Sequence, residues 1–393
     1  MRYNAAGTVA GFDGITKVKR AIIRDLNGAV FPSAQTVPNC ESVFDRSVIE
    51  VMRGCYRGCR FCQAGFIYRP VRKRSVETLT KQACSLIAST GYEEVSLNSL
   101  STGDYPRLRE LIKSLKSSLP DGVTLALPSL RVDSFDGDFA QDARKVSLTF
   151  APEAGTQRLR DVINKDVTEK EIMRAVNSAF DGGYSAVKLY FMLGLPTETD
   201  EDLKGIRRLC DLIKGAYNVK PRKKPLRISV SVSTFIPKPF TPFQWEAQAS
   251  EEQVENKQKV LRDILFVRGV SLSTSHYYTS FLEAVLARGD RRLSRAIELA
   301  YKNGCVFDGW INDFNADGWR KAFEDCGLDP SFYTREHGED EILPWSFINV
   351  GVTQKFLAAE RARAYAQEVS GSCLKGCRGC GLTSVCEAAK EKK

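Results

Sequence analysis

The stretch VMRGCYRGCRFCQAG, residues 51–65, places three cysteines, Cys55, Cys59 and Cys62, at C-x3-C-x2-C spacing. It overlaps the end of an apolar run, residues 47–52, that predicts a β-strand. Three thiolates on one short loop can each bind one iron of a 4Fe–4S cluster, which leaves the fourth iron without a protein ligand. The spacing therefore predicts a cluster with one coordination position open for chemistry.

Glycines and arginines surround these cysteines. Gly54 and Gly58 are expected to let the loop curl through positive φ angles. Arg53, Arg57 and Arg60 add positive charge, which is expected to favour thiolates and to offset an anionic cluster. The competing interpretations are a zinc knuckle and cysteines that only pack. A structural zinc site needs four ligands, and no histidine or fourth cysteine lies nearby in the sequence.

Composition describes a large chain with clustered cysteines. Its 393 residues, 43% hydrophobic and 27% charged, suffice for one large α/β domain with an appendage. The 12 cysteines are too sparse for a disulfide scaffold, and seven fall within 55–62 and 373–386, which indicates metal in a reducing compartment. No apolar segment approaches membrane-span length, and the first residues do not resemble a signal peptide. We expect a cytoplasmic protein without membrane contact.

The chain is basic, with a net charge of +9 and a pI near 8.9. This balance permits a phosphate-rich partner such as RNA. Basic runs occur at 69–74, 220–224 and 288–292. They are equally compatible with a solvated surface or with partners for carboxylates.

Apolar runs and amphipathic segments alternate along the chain from residue 47. The predicted strands are 48–52, 94–99, 123–129, 146–150, 186–192 and 227–235, and the predicted helices are 75–90, 105–118, 136–143, 167–181 and 199–216. Ser75 is expected to cap the first helix, and Thr168 with Glu171 to cap the fourth. This alternation predicts an α/β fold, a partial (β/α)6 TIM-like barrel.

The remainder of the chain completes the predicted domain organisation. We expect a lead-in at 1–46, the barrel at 47–245, an α/β to mainly helical extension at 246–365 and a Cys-rich tail at 366–393. The extension is predicted to contain a helix, a strand at 270–273 and a further helix.

Barrels of this kind carry their function at the carboxyl ends of the strands. Small and polar residues follow five of the predicted strands, at 99–105, 127–133, 151–160, 193–199 and 235–242. Asp104 could accept a hydrogen bond from an amine there. Each segment alone is compatible with an ordinary βα turn, but together they predict one ligand-binding face.

The cysteine motif, with Phe61 directly before the third cysteine, resembles that of the radical S-adenosylmethionine (SAM) superfamily. Residues 47–245 resemble the branch that includes the methylthiotransferases and coproporphyrinogen-type oxidases. The resemblance implies a radical SAM barrel in which the methionyl amine and carboxylate of SAM chelate the open iron. It also implies a 5′-deoxyadenosyl radical formed with one electron from a flavodoxin- or ferredoxin-like donor.

The resemblance assigns candidate SAM-binding residues at the strand ends: Gly103, Asp104, Glu153, Arg158, Gly194 and Pro196. Gly103 and Asp104 stand where the family has a Gly-Gly-Glu motif that holds the SAM amine. Glu153 matches a position near the ribose, and Arg158 a basic residue near the SAM carboxylate. Gly194 and Pro196 match a turn near the adenine.

A narrower resemblance covers most of the chain. The phrases at 53–74, 282–292, 307–310 and 343–345 resemble a bacterial radical SAM family that often carries an N-terminal cobalamin-binding domain. The chain is expected to lack that domain, because it begins too late and contains no Asp-x-His-x-x-Gly motif. Cobalamin is therefore expected only if a separate cobalamin-binding subunit supplies it.

The tail contains a second cysteine motif, C-x3-C-x2-C-x5-C, made by Cys373, Cys377, Cys380 and Cys386. Four thiolates can close a tetrahedral zinc site or hold an auxiliary iron–sulfur cluster, and both interpretations stay open. A basic knuckle of this kind could also grip RNA.

The extension offers weaker signals. The run 288–292 is either a helix break with surface ion pairs or part of a substrate pocket. His276 and His337 are interpreted as ordinary hydrogen-bonded side chains. Trp310, Trp319 and Trp345 are predicted to pack inside a helical cap rather than to stack on bases.

The sequence therefore predicts a radical SAM enzyme that modifies a substrate of unassigned identity, with RNA or a ribosome component as the first hypothesis. The different-class alternative is a non-catalytic iron–sulfur or zinc RNA-binding protein. A radical SAM enzyme acting on a protein or a small metabolite is the third hypothesis.

Overall fold

The computed structural model describes residues 17–42, 45–127, 148–222 and 224–386, and the backbone of two paired strands, Arg2–Tyr3 and Val9–Ala10. The predicted helix 136–143 lies outside the described residues, as do nearly all of the segment 127–133 and the end of the tail.

Two parallel sheets form the barrel part of the chain. The first contains Ser47–Glu50, Glu94–Asn98 and Thr124–Ala126, with the middle strand paired to both others. The second contains Leu148–Glu153, Ala186–Leu193, Arg227–Thr234 and Val270–Thr274, in that spatial order. All six predicted barrel strands are present, so this α/β prediction is confirmed. The strand predicted within the extension joins the second sheet as its last member.

Helices connect the parallel strands, as their direction requires. The barrel helices are Ala64–Ile67, Val76–Thr90, Leu108–Ser118, Gln157–Val162, Glu169–Asp181 and Asp200–Asn218. Ser75 Oγ accepts from the Thr78 N–H at 3.2 Å, and Thr168 and Glu171 form a reciprocal capping box. Both predicted caps are confirmed, while the short helix Ala64–Ile67 was not predicted.

The second sheet buries one face against its helices. In Ala186–Leu193, Val187, Leu189, Phe191 and Leu193 are each at most 1% exposed, which follows the period of two expected for a strand. They share one apolar core with the helices Glu169–Asp181 and Asp200–Asn218. Full burial of each such side chain contributes about 1.5–3 kcal/mol. This core fixes the strand ends on which the site is built.

The extension is mainly helical. Its helices are Glu251–Leu265, Tyr277–Arg288, Leu293–Lys302, Ala316–Asp325, Ser331–Thr334 and Gln354–Tyr365. A short strand, Ile348–Asn349, pairs in parallel with Val18–Lys19, and the tail opens with the 3-10 turn Cys373–Lys375. The division of the chain into four domains stays a prediction. Among the described residues, no helix combines the length and apolarity needed to cross a membrane.

The tryptophan prediction is confirmed for two residues and wrong for one. Trp319 and Trp345 are buried in the extension. Trp310 is 70% exposed, because it lies in an irregular segment beside the exposed Phe307 and Ile311.

Candidate metal centre and cofactor site

The cysteine loop begins immediately after the first barrel strand. A two-residue antiparallel pair, Met52–Arg53 with Arg72–Lys73, closes its base. Gly54 adopts a φ of +93°, and a Cβ atom there would lie 2.6 Å from the Tyr68 carbonyl oxygen. The predicted need for glycine is therefore confirmed at Gly54. At Gly58 the predicted positive φ is wrong, and the constraint is instead the Asn164 amide, 3.0 Å from where a Cβ would stand.

The three thiols of the loop lie close enough to influence one another. Burial and then the neighbouring Cys59 raise the pKa of the Cys55 thiol to about 12, and the same two causes raise the pKa of Cys62. Within the described ranges, no group of three or more His, Cys, Asp or Glu side chains already stands at metal-binding distances. The donor set fits a cluster, and binding requires the thiols to be deprotonated, which couples metal affinity to pH.

The arginines around the loop are each paired with a carboxylate. Arg53 pairs with Glu50 at 2.7 Å, and Arg57 pairs with Asp104 at 2.6 Å. Arg60 is fully buried and pairs with Glu360 at 3.3 Å. Each positive charge is therefore balanced by a carboxylate. The expectation that these residues favour thiolates and offset an anionic cluster stays a prediction, because the rise in the pKa values of Cys55 and Cys62 comes from burial and from the neighbouring Cys59.

Asp104 lies beside the cysteine loop, at the end of the second barrel strand. Arg57 donates to both of its carboxylate oxygens, through Nη2 at 2.6 Å and Nε at 3.0 Å. Ser101 Oγ donates to the same carboxylate at 2.7 Å. This bidentate pair fixes the Thr102–Asp104 turn against the loop. A role of Gly103 and Asp104 in holding the SAM amine stays a prediction.

Glu153 ends the fourth barrel strand in a strained conformation. Its φ is +67°, and its carboxylate accepts from Lys165 Nζ at 3.0 Å. Such strain in a residue other than glycine is concentrated at functional sites. The observation is compatible with the predicted place near the ribose, which stays a prediction.

Arg158 braces two strand-end segments. Its guanidinium donates to the Thr197 carbonyl oxygen at 2.9 Å and forms an ion pair with the buried Asp202. The predicted contact with the SAM carboxylate stays a prediction, because the guanidinium already has these partners within the chain.

The turn after the fifth barrel strand contains Gly194 and Pro196. Gly194 has a φ of +79°, and its N–H donates to the Glu198 carboxylate at 3.1 Å. Glu198 is buried and pairs with Lys257 at 2.6 Å, while burial raises its pKa. The buried Glu198 carboxylate therefore holds the turn in place. Its predicted contact with the adenine stays a prediction.

The Cys-rich tail lies directly on the cysteine loop. The Cys373 N–H donates to the Tyr56 carbonyl oxygen at 2.9 Å. A cavity of about 270 Å³ is lined by Cys55 together with Cys373, Cys380 and Cys386. Burial raises the pKa of Cys373, and the thiols of Cys380, Cys386 and Cys377 add to this shift. The two cysteine motifs therefore adjoin, which their separation in the sequence did not indicate.

Two buried polar residues connect the tail to the loop. Arg60 Nη2 donates to the Glu368 carbonyl oxygen at 2.7 Å. The Asn164 side chain donates to the Gly58 carbonyl oxygen at 3.0 Å and accepts from the Ser370 N–H at 2.9 Å. Sequence reasoning missed both roles. The position of Arg60 within the motif was a usable signal, whereas nothing in the sequence distinguished Asn164.

The first basic run is structural. Arg69, Arg72 and Arg74 are at most 5% exposed and donate to backbone carbonyl oxygens, for example from Arg69 Nε to Gly65 at 2.9 Å. In the second run, Arg222 lies over the rings of Phe180 and Tyr217. These buried or packed guanidinium groups do not form an RNA-facing surface.

Comparison with known proteins identifies the superfamily to which the chain is similar. Residues 49–210 match the model of the radical SAM superfamily. An uncharacterised protein of Methanocaldococcus jannaschii is 34% identical over 313 residues, which cover 79% of this chain and 67% of that protein.

Two characterised relatives match more distantly. A tRNA-2-methylthio-N(6)-dimethylallyladenosine synthase of Ehrlichia ruminantium is 24% identical, over 48% of this chain and 46% of that enzyme. A ribosomal protein uS12 methylthiotransferase of Desulfotalea psychrophila is 27% identical, over 44% of this chain and 41% of that enzyme. The matched regions span less than half of either methylthiotransferase. From its cysteine loop, its parallel strands and these similarities, the chain belongs to the radical SAM superfamily.

Proposed function

We propose that this chain is a radical SAM enzyme in which Cys55, Cys59 and Cys62 hold a 4Fe–4S cluster. When bound, the cluster supplies the electron that cleaves SAM reductively to a 5′-deoxyadenosyl radical. The observation that carries this proposal is the loop itself, where three cysteines at C-x3-C-x2-C spacing follow the first barrel strand. Activity in such barrels is located at the carboxyl ends of strands.

The strand ends have separate tasks in this proposal. Asp104, held in place by Arg57 and Ser101, offers carboxylate oxygens to the SAM amine. Glu153 accepts from a ribose hydroxyl, and Arg158 faces the SAM carboxylate. The Gly194 turn lies against the adenine. The chain thereby orients SAM and excludes water and stray hydrogen donors from a reactive radical.

For the substrate, we propose RNA or a ribosome component. One matched relative is named for a tRNA product and another for a ribosomal protein, which supports this class. The net charge of +9 supports a phosphate-rich partner. A protein side chain or a small metabolite is the alternative substrate.

The proposal also includes further components. A flavodoxin- or ferredoxin-like protein would supply the electron. The tail cysteines would hold zinc or an auxiliary cluster, and a separate subunit would supply cobalamin if the reaction uses it. The contact between tail and loop supports a tail metal close to the catalytic cluster.

The first experiment is anaerobic reconstitution with iron and sulfide, metal quantification, and assay of 5′-deoxyadenosine from SAM under dithionite. We expect about four irons per chain if only the Cys55 loop binds a cluster and about eight if the tail holds a second one. About one zinc beside four irons would instead assign zinc to the tail. A loaded chain that forms no 5′-deoxyadenosine would contradict the proposed activity.

A matched pair of variants tests the loop. Cys59→Ala is expected to abolish 5′-deoxyadenosine formation, because it removes one of three cluster ligands. Cys84→Ala is the control, since that thiol lies on the helix Val76–Thr90, outside both cysteine motifs, and contacts the Ser118 carbonyl oxygen at 3.5 Å. Equal activity of the two variants would exclude the assigned ligand set.

RNA binding is tested separately by filter binding across a salt series. A binding constant that falls steeply with salt is expected, because phosphate contacts release counterions. RNA binding without any SAM cleavage by the loaded wild type would favour the non-catalytic binder. Absence of binding at low salt would exclude the RNA hypothesis while leaving the enzyme proposal intact.

A further inference from the structure

A second cleft lies in the extension, where the helix Tyr277–Arg288 ends and Leu293–Lys302 begins. Its volume is about 590 Å³, and the third basic run of the sequence forms one wall. The side chains that matter here are Arg288, Arg291, Arg292, Phe332, His337 and Glu341. This cleft is distinct from the strand-end face assigned to SAM.

Arg288 provides a buried positive charge. It is 1% exposed and donates to the carbonyl oxygens of Tyr333, Glu246 and Arg335, each at 2.8 Å. Burial lowers its pKa to about 10, so the guanidinium is still charged at neutral pH. It forms no ion pair with a carboxylate in the part of the chain that the structure describes. A buried cation in this state is costly, and an anionic ligand in the cleft would offset that cost.

The carboxylates of the cleft are already paired. Asp290 binds Arg292 at 2.6 Å, and Glu341 binds Arg335 at 2.6 Å. Arg291 is exposed, and its guanidinium has no ion-pair partner among the described residues. The cleft therefore keeps an excess of positive charge and offers free guanidinium donors to a ligand.

His337 adds an unused polar atom. The side chain lines the cleft and is 5% exposed, and its Nε2 is buried without a hydrogen-bond partner. Its Nδ1 lies 3.1 Å from Glu341 Oε1. Because a carboxylate only accepts, Nδ1 carries the hydrogen and Nε2 of the neutral ring presents a lone pair. A hydroxyl or amine of a ligand would satisfy it.

A flat surface borders the same cleft. The Phe332 ring is 45% exposed, and the guanidinium carbons of Arg335 and Arg292 lie 4.7 and 5.7 Å from its centre. Aromatic rings and guanidinium planes are the surfaces on which nucleobases stack. The cleft therefore combines a positive charge, a hydrogen-bond acceptor without a partner and an exposed aromatic ring.

We propose that this cleft binds a phosphorylated nucleoside, either a free nucleotide or one nucleotide of an RNA. Arg291 donates to the phosphate, and the Arg288 charge attracts it. His337 Nε2 accepts from a sugar hydroxyl, and the base stacks at Phe332. The RNA source rests on the proposed function, whereas the free-nucleotide source does not.

The cleft also has a structural connection to the cysteine loop. The His337 ring meets Trp345 edge to face, with ring centres 6.5 Å apart. Trp345 shares an apolar cluster with Trp245 and Phe66, and Phe66 belongs to the helix that follows Cys62. A ligand in the cleft would therefore stand behind the cluster loop, separated from it by packed side chains.

The test is calorimetric titration of the reconstituted full chain with adenosine 5′-monophosphate, adenosine or inorganic phosphate. We expect the monophosphate to bind and adenosine to bind at least tenfold more weakly. Arg291→Glu is expected to weaken monophosphate binding at least tenfold, which corresponds to about 1.4 kcal/mol. Arg320→Glu is the control, because Arg320 is an exposed arginine on another helix and is ion-paired to the nearby Asp317.

Filter binding of an RNA oligonucleotide, with the monophosphate as competitor, separates the two sources. Competition, together with weaker RNA binding by Arg291→Glu, would identify the RNA nucleotide as ligand. Monophosphate binding that depends on Arg291, without an effect on RNA, would identify a free nucleotide. The proposal would be overturned if neither adenosine 5′-monophosphate nor the RNA oligonucleotide binds. It would also be overturned if Arg291→Glu leaves binding within twofold of wild type. SAM cleavage by the wild type in the same preparation judges the proposed function independently.

Discussion

Arg60→Ala is the perturbation that most directly tests how the tail is held on the cysteine loop. The Arg60 side chain is fully buried and donates to the carbonyl oxygens of Asp161 and Val162 at 3.0 and 2.9 Å. It also donates to the Glu368 carbonyl oxygen and forms an ion pair with Glu360. Truncation would leave several buried acceptors without this donor.

The size of the effect follows from burial. The side chains of Arg60 and Glu360 are 0% and 4% exposed, and loss of one partner of a buried pair costs about 3–5 kcal/mol. Glu360 keeps its pair with Arg363 at 2.6 Å, which places the expectation near the lower limit, about 3 kcal/mol. Arg295→Ala removes an exposed pair with Glu298 and is expected to cost less than about 1 kcal/mol.

Two measurements on the reconstituted full chain compare these variants. Urea unfolding gives the free energy of unfolding, and limited proteolysis followed by mass spectrometry gives the rate at which the tail is cut. Arg60→Ala should be cut faster in the tail, because a released segment is open to protease. A loss of stability within about 1 kcal/mol of the control, with an unchanged cutting rate, would refute the assigned role of Arg60.

Two further predictions concern packing and pH. Gly155→Ala should cost about 1–3 kcal/mol, since its Cβ would lie 2.2 Å from the Asp202 carbonyl oxygen, whereas Gly215→Ala meets nothing within 4 Å and should be neutral or stabilising. Thermal unfolding compares them, and equal shifts would contradict the assigned contact. The hydrogen bond from Arg335 lowers the pKa of Glu341 to about 2. The ionised Glu341 carboxylate therefore stabilises the folded chain above pH 4.5, and this stabilisation is lost as the pH falls towards 2. Glu341→Gln should therefore lower stability at neutral pH by about 1–2 kcal/mol, after a discount for partial exposure, and urea unfolding should show that gap narrowing in acid.

The barrel was predictable because its signals are local. A run of mostly apolar residues predicts the strand Ala186–Leu193, and the capping box of Thr168 lies within four consecutive residues. The cysteine loop was equally predictable, since the C-x3-C-x2-C spacing lies within eight residues.

The features that could not be predicted from the sequence depend on long-range contacts and on whether a charged side chain is buried or exposed. Arg60 and Arg72 look like surface cations, yet both are buried because backbone carbonyl oxygens and, for Arg60, Glu360 satisfy their donors. Trp310 looks like core, yet it is exposed. The hydrogen bond between Cys373 and Tyr56 joins residues far apart in the sequence, so no local sequence pattern predicts it.

The contact between the tail and the cysteine loop determines the order in which parts of this chain fold during synthesis. Arg60 and its partner Glu368 are 308 residues apart, so the loop leaves the ribosome long before the segment that completes its surroundings. Contacts of such long range form late, because loop-closure entropy must be overcome first. During synthesis the barrel can therefore fold while the cysteine loop is still uncovered. We expect the loop to reach its final form only after translation has passed the tail.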